Sequence, residues 1–127
     1  MIVLDTCTLL WLVRGEGLPP AVARAIDEAD AAFVSAISAL EIGTKVNKGR
    51  LTLGMPTRAW WAGALEQHGP AEVPVEGDIA LRAAELPPIH ADPADRVVLA
   101  TAMHLRATLW TPDPLIRAYP GVEVAWG

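Results

Sequence analysis

Short, nearly continuous apolar runs alternate along this chain with longer Ala-rich stretches whose hydrophobic positions recur at helical spacing. Five runs read as strands: Ile2 to Asp5, Ala32 to Ser35, Glu72 to Val75, Thr108 to Thr111 and Val122 to Trp126. Their unbroken hydrophobicity is that of strands covered on both faces, so the sheet is expected to be parallel and buried. Helical windows lie between them at Thr8 to Arg14, Pro20 to Ala29, Ala36 to Asn47, Thr57 to His68, Gly77 to Leu86, Pro93 to Arg106, and briefly Pro114 to Ala118. The punctuation agrees: Pro19-Pro20 opens the second window, Gly49 and Gly54 follow the third, Gly69-Pro70 ends the fourth and Pro87-Pro88 the fifth. This alternation predicts an α/β fold with a mostly parallel sheet of about five strands.

With 127 residues and no repeat or linker, one domain spanning 1–127 is expected. A hydrophobic content of 52% excludes a disordered chain. The apolar stretch from Ile2 to Val13 is interrupted by Asp5 and Thr6, is too short for a bilayer and has no basic residues ahead of it. Neither a signal peptide nor a membrane anchor is therefore expected, and a cytoplasmic protein is the default. The lone Cys7 can form neither an internal disulfide nor a zinc cluster and is expected to be a small buried residue. Ten Lys and Arg against fifteen Asp and Glu leave a net charge of −5. No global basic field attracts phosphates, so a phosphate-bearing partner would need a local patch, a bound cation or a second protein.

In open α/β sheets, ligands gather beyond the carboxyl ends of the strands. Four acids fall at or just after such places: Asp5, Glu41, Asp95 and Asp113. Each has an ordinary explanation. Asp5 can cap the first helix. Glu41 completes a capping box if Ser38 is the N-cap, but faces the cleft edge if Ser35 is. Asp92-Pro93-Ala94-Asp95 reads as N-cap, N1 and N3 of a helix, and Asp113-Pro114 repeats the pattern. Jointly they suggest a cluster. Carboxylates about 5 Å apart repel by roughly 3 kcal/mol at an effective dielectric near 20, and a cation relieves that cost. Hard oxygen donors without Cys or a well-placed His point to Mg2+ or Mn2+, a centre suited to phosphodiester hydrolysis.

Ile2-Val-Leu-Asp5-Thr6 with Leu10-Trp11, Val34-Ser35-Ala-Ile-Ser38-Ala-Leu-Glu41-Ile with Lys45 and Gly49-Arg50-Leu51, His90-Ala-Asp92-Pro-Ala-Asp95-Arg96 and Thr111-Pro-Asp113 together resemble the PIN domain, most closely its VapC-like toxin branch. The resemblance spans nearly the whole chain in order. It implies a three-layer α/β/α fold and a Mg2+-dependent endoribonuclease toxin, with Mn2+ a plausible substitute. It also implies a cognate antitoxin that neutralises the toxin, and a homodimer. By position, Asp5, Glu41, Asp95 and Asp113 match the family's acidic quartet, with Asp5, Asp95 and Asp113 as metal ligands and Glu41 acting through water. Asp92 is assigned to the cap. Thr6, Ser38, Lys45, Arg96 and Thr111 are candidates for supporting the ligands or touching RNA.

Lys45, Lys48 and Arg50 form the one compact basic cluster, which could meet RNA phosphates or simply complement a helix end. His68 and His104 read as ordinary helix residues, and His90 lies near the Asp92 loop without an assigned role. Adjacent Trp60 and Trp61 differ by about 100° around a helix, so one can pack inward while the other faces a partner. Two other readings compete with the nuclease. An aspartyl-phosphate mechanism at Asp5 is disfavoured because Cys7 stands where haloacid-dehalogenase-like phosphatases place a second Asp. A catalytically weak PIN-like module would bind protein partners, with the acids serving as caps.

Overall fold

Alternation within the short strands decides which helix each side of the sheet receives. The computed structural model describes residues 1–127. Strands β1 (Ile2–Leu4), β2 (Ala32–Ser35), β3 (Ala71–Val73), β4 (Thr108–Trp110) and β5 (Val124–Ala125) form one parallel sheet in the order β3-β2-β1-β4-β5. Ile2, Leu4 and Val34 point to one side and pack with Leu9, Ile42, Trp60 and Ala64. These residues come from α1 (Thr6–Arg14), α3 (Ala36–Asn47) and α4 (Thr57–His68). Val3 and Leu109 point to the other side, against Val98, Leu99 and Ala102 of α6 (Pro93–Leu105) and Ile116 of a 3₁₀ turn at Ile116–Ala118. Helix α2 is Pro20–Glu28, and α5 (Gly77–Glu85) packs on α6 through Ile79, Ala83 and Ala100. The result is the expected three-layer α/β/α arrangement. Each fully buried Leu or Val contributes about 1.5–3 kcal/mol.

Strand β2 matches its expected run and β3 starts one residue early at Ala71, while β1, β3, β4 and β5 stop short of their expected ends, for local reasons. Pro74 cannot donate to a ladder, so β3 stops at Val73, and the pairing of β5 is confined to Val124–Ala125. Edge strand β3 also leaves Ala71 and Glu72 exposed, so the sheet is not covered throughout as its hydrophobicity suggested. The window from Pro114 to Ala118 yields only the 3₁₀ turn. Helix α1 begins at Thr6, two residues earlier than expected, because Asp5 caps it.

Parallel pairing puts every strand's carboxyl end on the same edge. Residues Asp5 and Thr111 follow β1 and β4 there, and α3 starts there directly after β2. Helix α6 leads into β4 through a tight turn at Arg106, which takes φ 54°. It therefore runs antiparallel to the strand, and its N-terminus with Asp92 and Asp95 is delivered to that same edge.

Candidate metal centre

The four acids of the sequence pattern lie on one ring that runs partly through the chain itself: Asp95 groups with His90 and Asp113 and with Glu41 and Asp92, while Asp5 lies outside both groups. Asp5 is buried at the end of β1, where its Oδ1 accepts from the Thr8 backbone N–H (2.8 Å) and the Thr8 hydroxyl (2.6 Å). Its Oδ2 accepts from the buried Thr111 hydroxyl. The Thr111 Oγ1 in turn accepts from the Asp113 backbone N–H at 3.2 Å, tying the two strand ends together. Asp113 Oδ2 lies 2.8 Å from His90 Nε2, and the same nitrogen lies 3.0 Å from Asp95 Oδ2. Asp95, Asp92 and Glu41 each bring a carboxylate oxygen within 4.8 Å of the others. The ring closes through Thr6, beside Asp5, whose hydroxyl donates to Glu41 and lies 2.8 Å from Ser38 Oγ.

Local sequence explains each placement. Ser35, not Ser38, caps α3, its hydroxyl accepting from the Ile37 N–H at 3.1 Å. That removes the capping-box explanation for Glu41 and turns it toward the ring. Asp92 is the N-cap of α6 as expected, with Oδ1 accepting from the Ala94 N–H at 2.9 Å. It nevertheless remains close to Glu41 and Asp95, so capping and membership of the acidic cluster coexist.

Crowding of like charges leaves an electrostatic mark. Asp95 is pushed up to about 7, first by burial, then by repulsion from Asp92 and Glu41, against the attraction of His90. Asp5 is also raised, by burial, although hydrogen bonds from Thr111 and Thr8 oppose the shift. Clustered oxygens held by hydrogen bonds, one of them retaining a proton near neutral pH, are the donor set a hard divalent cation relieves.

Two expectations are corrected here. His90 had no assigned role, and the acids were taken to lack a well-placed His, yet its ring stands between Asp95 and Asp113. The signal was indirect: His90 precedes the cap by two residues, but its position depends on Tyr119, 29 residues away, and on Arg96, whose partners the sequence does not show. Cys7 is exposed rather than buried, since it sits in the first turn of α1 beyond the cap. Burial by its neighbours and the charges of Asp5, Glu41 and Asp95 raise its thiol pKa, while Lys45 lowers it. An exposed side chain that still feels these charges describes a group at the rim of the cluster.

The supporting candidates divide. Thr6, Ser38 and Thr111 are buried against the carboxylates. Lys45 is exposed at the same rim, and Lys48 and Arg50 are exposed farther along. Arg96 is directed away from solvent-borne phosphate: its guanidinium donates to the carbonyls of Ala83, Ala84, Leu86, Pro87 and His90. A cation at the N-terminus of α6 opposes the helix dipole, whereas the same charge satisfies the orphan carbonyls at the C-terminus of α5. Trp60 is buried in the core, and Trp61 is half-buried with its indole N–H donating to Glu72 at 2.7 Å. Trp61 also lines a groove between α3 and α4 with Leu40 and Gly43.

Comparison with known proteins bears on this geometry. The sequence profile of the PIN domain matches residues 2–121. Ribonuclease VapC22 of Mycobacterium tuberculosis is 32% identical over 110 residues, covering 86% of this chain and 83% of that protein. Among solved structures, VapBC2 from Rickettsia felis bound to a promoter DNA fragment has a TM-score of 0.73 at 14% identity, each chain covered in full (100%). FitAcB from Neisseria gonorrhoeae has a TM-score of 0.64 at 22% identity, covering 98% of this chain and 96% of that one. A toxin-antitoxin complex from Klebsiella pneumoniae has a TM-score of 0.67 at 20% identity, covering 96% and 95%. The structural likenesses establish the fold.

Proposed function

The chain belongs to the PIN domain family, on its VapC-like branch, and from that premise we propose that it is a metal-dependent endoribonuclease toxin, hydrolysing RNA phosphodiester bonds and neutralised by a cognate antitoxin. The observation that carries this reading is the grouping of Asp95 with Asp113 and with Glu41 at the carboxyl edge of the sheet, with Asp5 tied to Asp113 through Thr111. Asp5, Asp95 and Asp113 are the residues to hold Mg2+, with Mn2+ a substitute, and Glu41 acts through water. The bound ion supplies charge neutralisation at the phosphate and a lowered pKa for water.

The chain's own residues do the remainder. Thr8 and Thr111 fix both oxygens of Asp5, so little is spent on ordering that carboxylate when a ligand arrives. Thr6 orients Glu41 as an acceptor facing the ring, placed to receive a proton from water. Lys45, one turn beyond Glu41 and exposed, offers local positive charge to an RNA phosphate on a protein whose net charge is −5.

The name of the curated relative supports ribonuclease activity, and the toxin-antitoxin neighbours support an antitoxin partner, while a homodimer is what the family resemblance alone implies. Action in the cytoplasm fits these and a chain in which no helix is long and apolar enough to cross a membrane. The test is to map RNA ends after induced expression of wild type beside Asp5→Asn, with purified protein assayed with Mg2+ and with chelator. Wild type should cut RNA only with metal, and the variant should not cut. Retained cleavage by a cleanly purified Asp5→Asn protein contradicts the assignment.

A further inference from the structure

Resting on the metal-centre reading above, we propose that His90 is a positioning residue: it donates from Nε2 to Asp113, keeps Asp95 beside the same nitrogen so that both carboxylates stay in register for the cation, and does not itself coordinate it. The residue is fixed at three points. Its backbone N–H donates to the Tyr119 hydroxyl oxygen (2.8 Å), and its carbonyl accepts from Arg96 Nη1 (3.1 Å). Its Nδ1 faces the Asp92 backbone N–H at 3.2 Å.

That last contact gives Nδ1 the acceptor's role. A backbone N–H can only donate, so Nδ1 must accept, and a neutral imidazole then bears its hydrogen on Nε2. The protonated nitrogen has no lone pair for a metal. Its hydrogen bond runs to Asp113 Oδ2 (2.8 Å), and Asp95 Oδ2 stands 3.0 Å from the same nitrogen, so one ring keeps together groups that would otherwise swing apart. Asp113 Oδ1 accepts from the Leu115 N–H at 2.9 Å, so that carboxylate is held at both oxygens.

The clamp reaches into the fold. Arg96 joins the His90 carbonyl to the last carbonyls of α5, and the Tyr119 hydroxyl donates to the Pro87 carbonyl at 2.9 Å. Packing of α5 on α6 through Ile79, Ala83 and Ala100 therefore sets where the imidazole stands. This gives Arg96 a part in the site through His90 rather than through RNA. Hydrogen bonds to metal-binding carboxylates are worth about 10–100-fold in affinity.

Calorimetric titration of Mn2+ at pH 8 into wild type, His90→Ala, His90→Gln and Asp95→Asn tests the assignment, together with electron spin-echo spectra of the Mn2+-loaded wild type. Wild type should bind and Asp95→Asn should not. His90→Ala should bind about 10–100-fold more weakly, and His90→Gln, which restores an N–H donor, should recover most of that loss. The spectra should carry no signature of a directly bound imidazole nitrogen. Unchanged affinity in His90→Ala, no recovery in His90→Gln, or a coordinated imidazole overturns the proposal while leaving the metal centre intact. Wild type that fails to bind Mn2+ overturns the metal-centre reading and this role with it. Should His90→Ala not fold, the comparison of His90→Gln with wild type carries the test: near-equal binding supports donation, and loss equal to that of Asp95→Asn refutes it.

Discussion

Replacing Asp95 by Asn should make the metal-free protein more stable, by an amount that grows as pH rises from about 4 to about 7 and is constant above. Burial and the carboxylates of Asp92 and Glu41 raise Asp95 from an ordinary value near 3.8 to about 7. The folded state then binds more protons than the unfolded state between those values. Stability linked to Asp95 is therefore fully present below pH 4 and is lost as pH rises through about 7. At about 1.4 kcal/mol per tenfold, the gap corresponds to about 4 kcal/mol. A quarter of the side chain meets solvent, and screening there leaves ~2 kcal/mol of strain at pH 8. Asn keeps the shape and an acceptor oxygen for His90 but cannot ionise. Urea unfolding in chelator should show Asp95→Asn more stable than wild type by ~2 kcal/mol at pH 8, by roughly a third to a half of that at pH 5, and the two nearly equal only below about pH 4. Saturating Mn2+ should reverse the order, because a ligand at 100 times its dissociation constant stabilises the native state by about 2.7 kcal/mol. A variant less stable than wild type at both pH values would refute the electrostatic reasoning.

Asp5→Asn should abolish metal-dependent stabilisation while changing metal-free stability by less than about 1 kcal/mol, since Asn caps as well as Asp; calorimetric melting checks both. Asp5→Ala should lose a further ~1 kcal/mol with the cap. Arg96→Ala should cost about 2–3 kcal/mol in urea unfolding, because it strips charge-assisted bonds from the C-terminus of α5, and fluorescence midpoints should move without a change in slope. Cys7, exposed yet raised in pKa by Asp5, Glu41 and Asp95, should be alkylated slowly at neutral pH. Neutralising the cluster by Asp95→Asn should speed that reaction; an unchanged rate would deny that the thiol feels these charges.

Much of this was legible in the sequence because it is local. The windows for α3 and α4, Ala36 to Asn47 and Thr57 to His68, coincide with the helices, since proline and glycine mark their ends. The acids at the ends of β1 and β4 could be placed because parallel strands share one carboxyl edge. What escaped depends on contacts distant in sequence. Arg96 precedes nothing that betrays its partners, which lie 9 to 13 residues earlier at the end of α5. His90 is 23 residues from Asp113 and 29 from Tyr119, so neither spacing nor periodicity announces it. The exposure of Cys7 has a smaller cause: helix α1 starts at Thr6, and residue 7 in its first turn faces outward, where its small apolar character alone predicts burial.

The most direct measurement is anomalous diffraction from crystals of this protein soaked in Mn2+. A peak within coordinating distance of the Asp5, Asp95 and Asp113 carboxylates, absent from Asp5→Asn crystals soaked alike, is the predicted result. Crystals whose manganese lies only elsewhere, or whose Asp5 variant keeps the same peak, would contradict a shared cation at the end of the sheet.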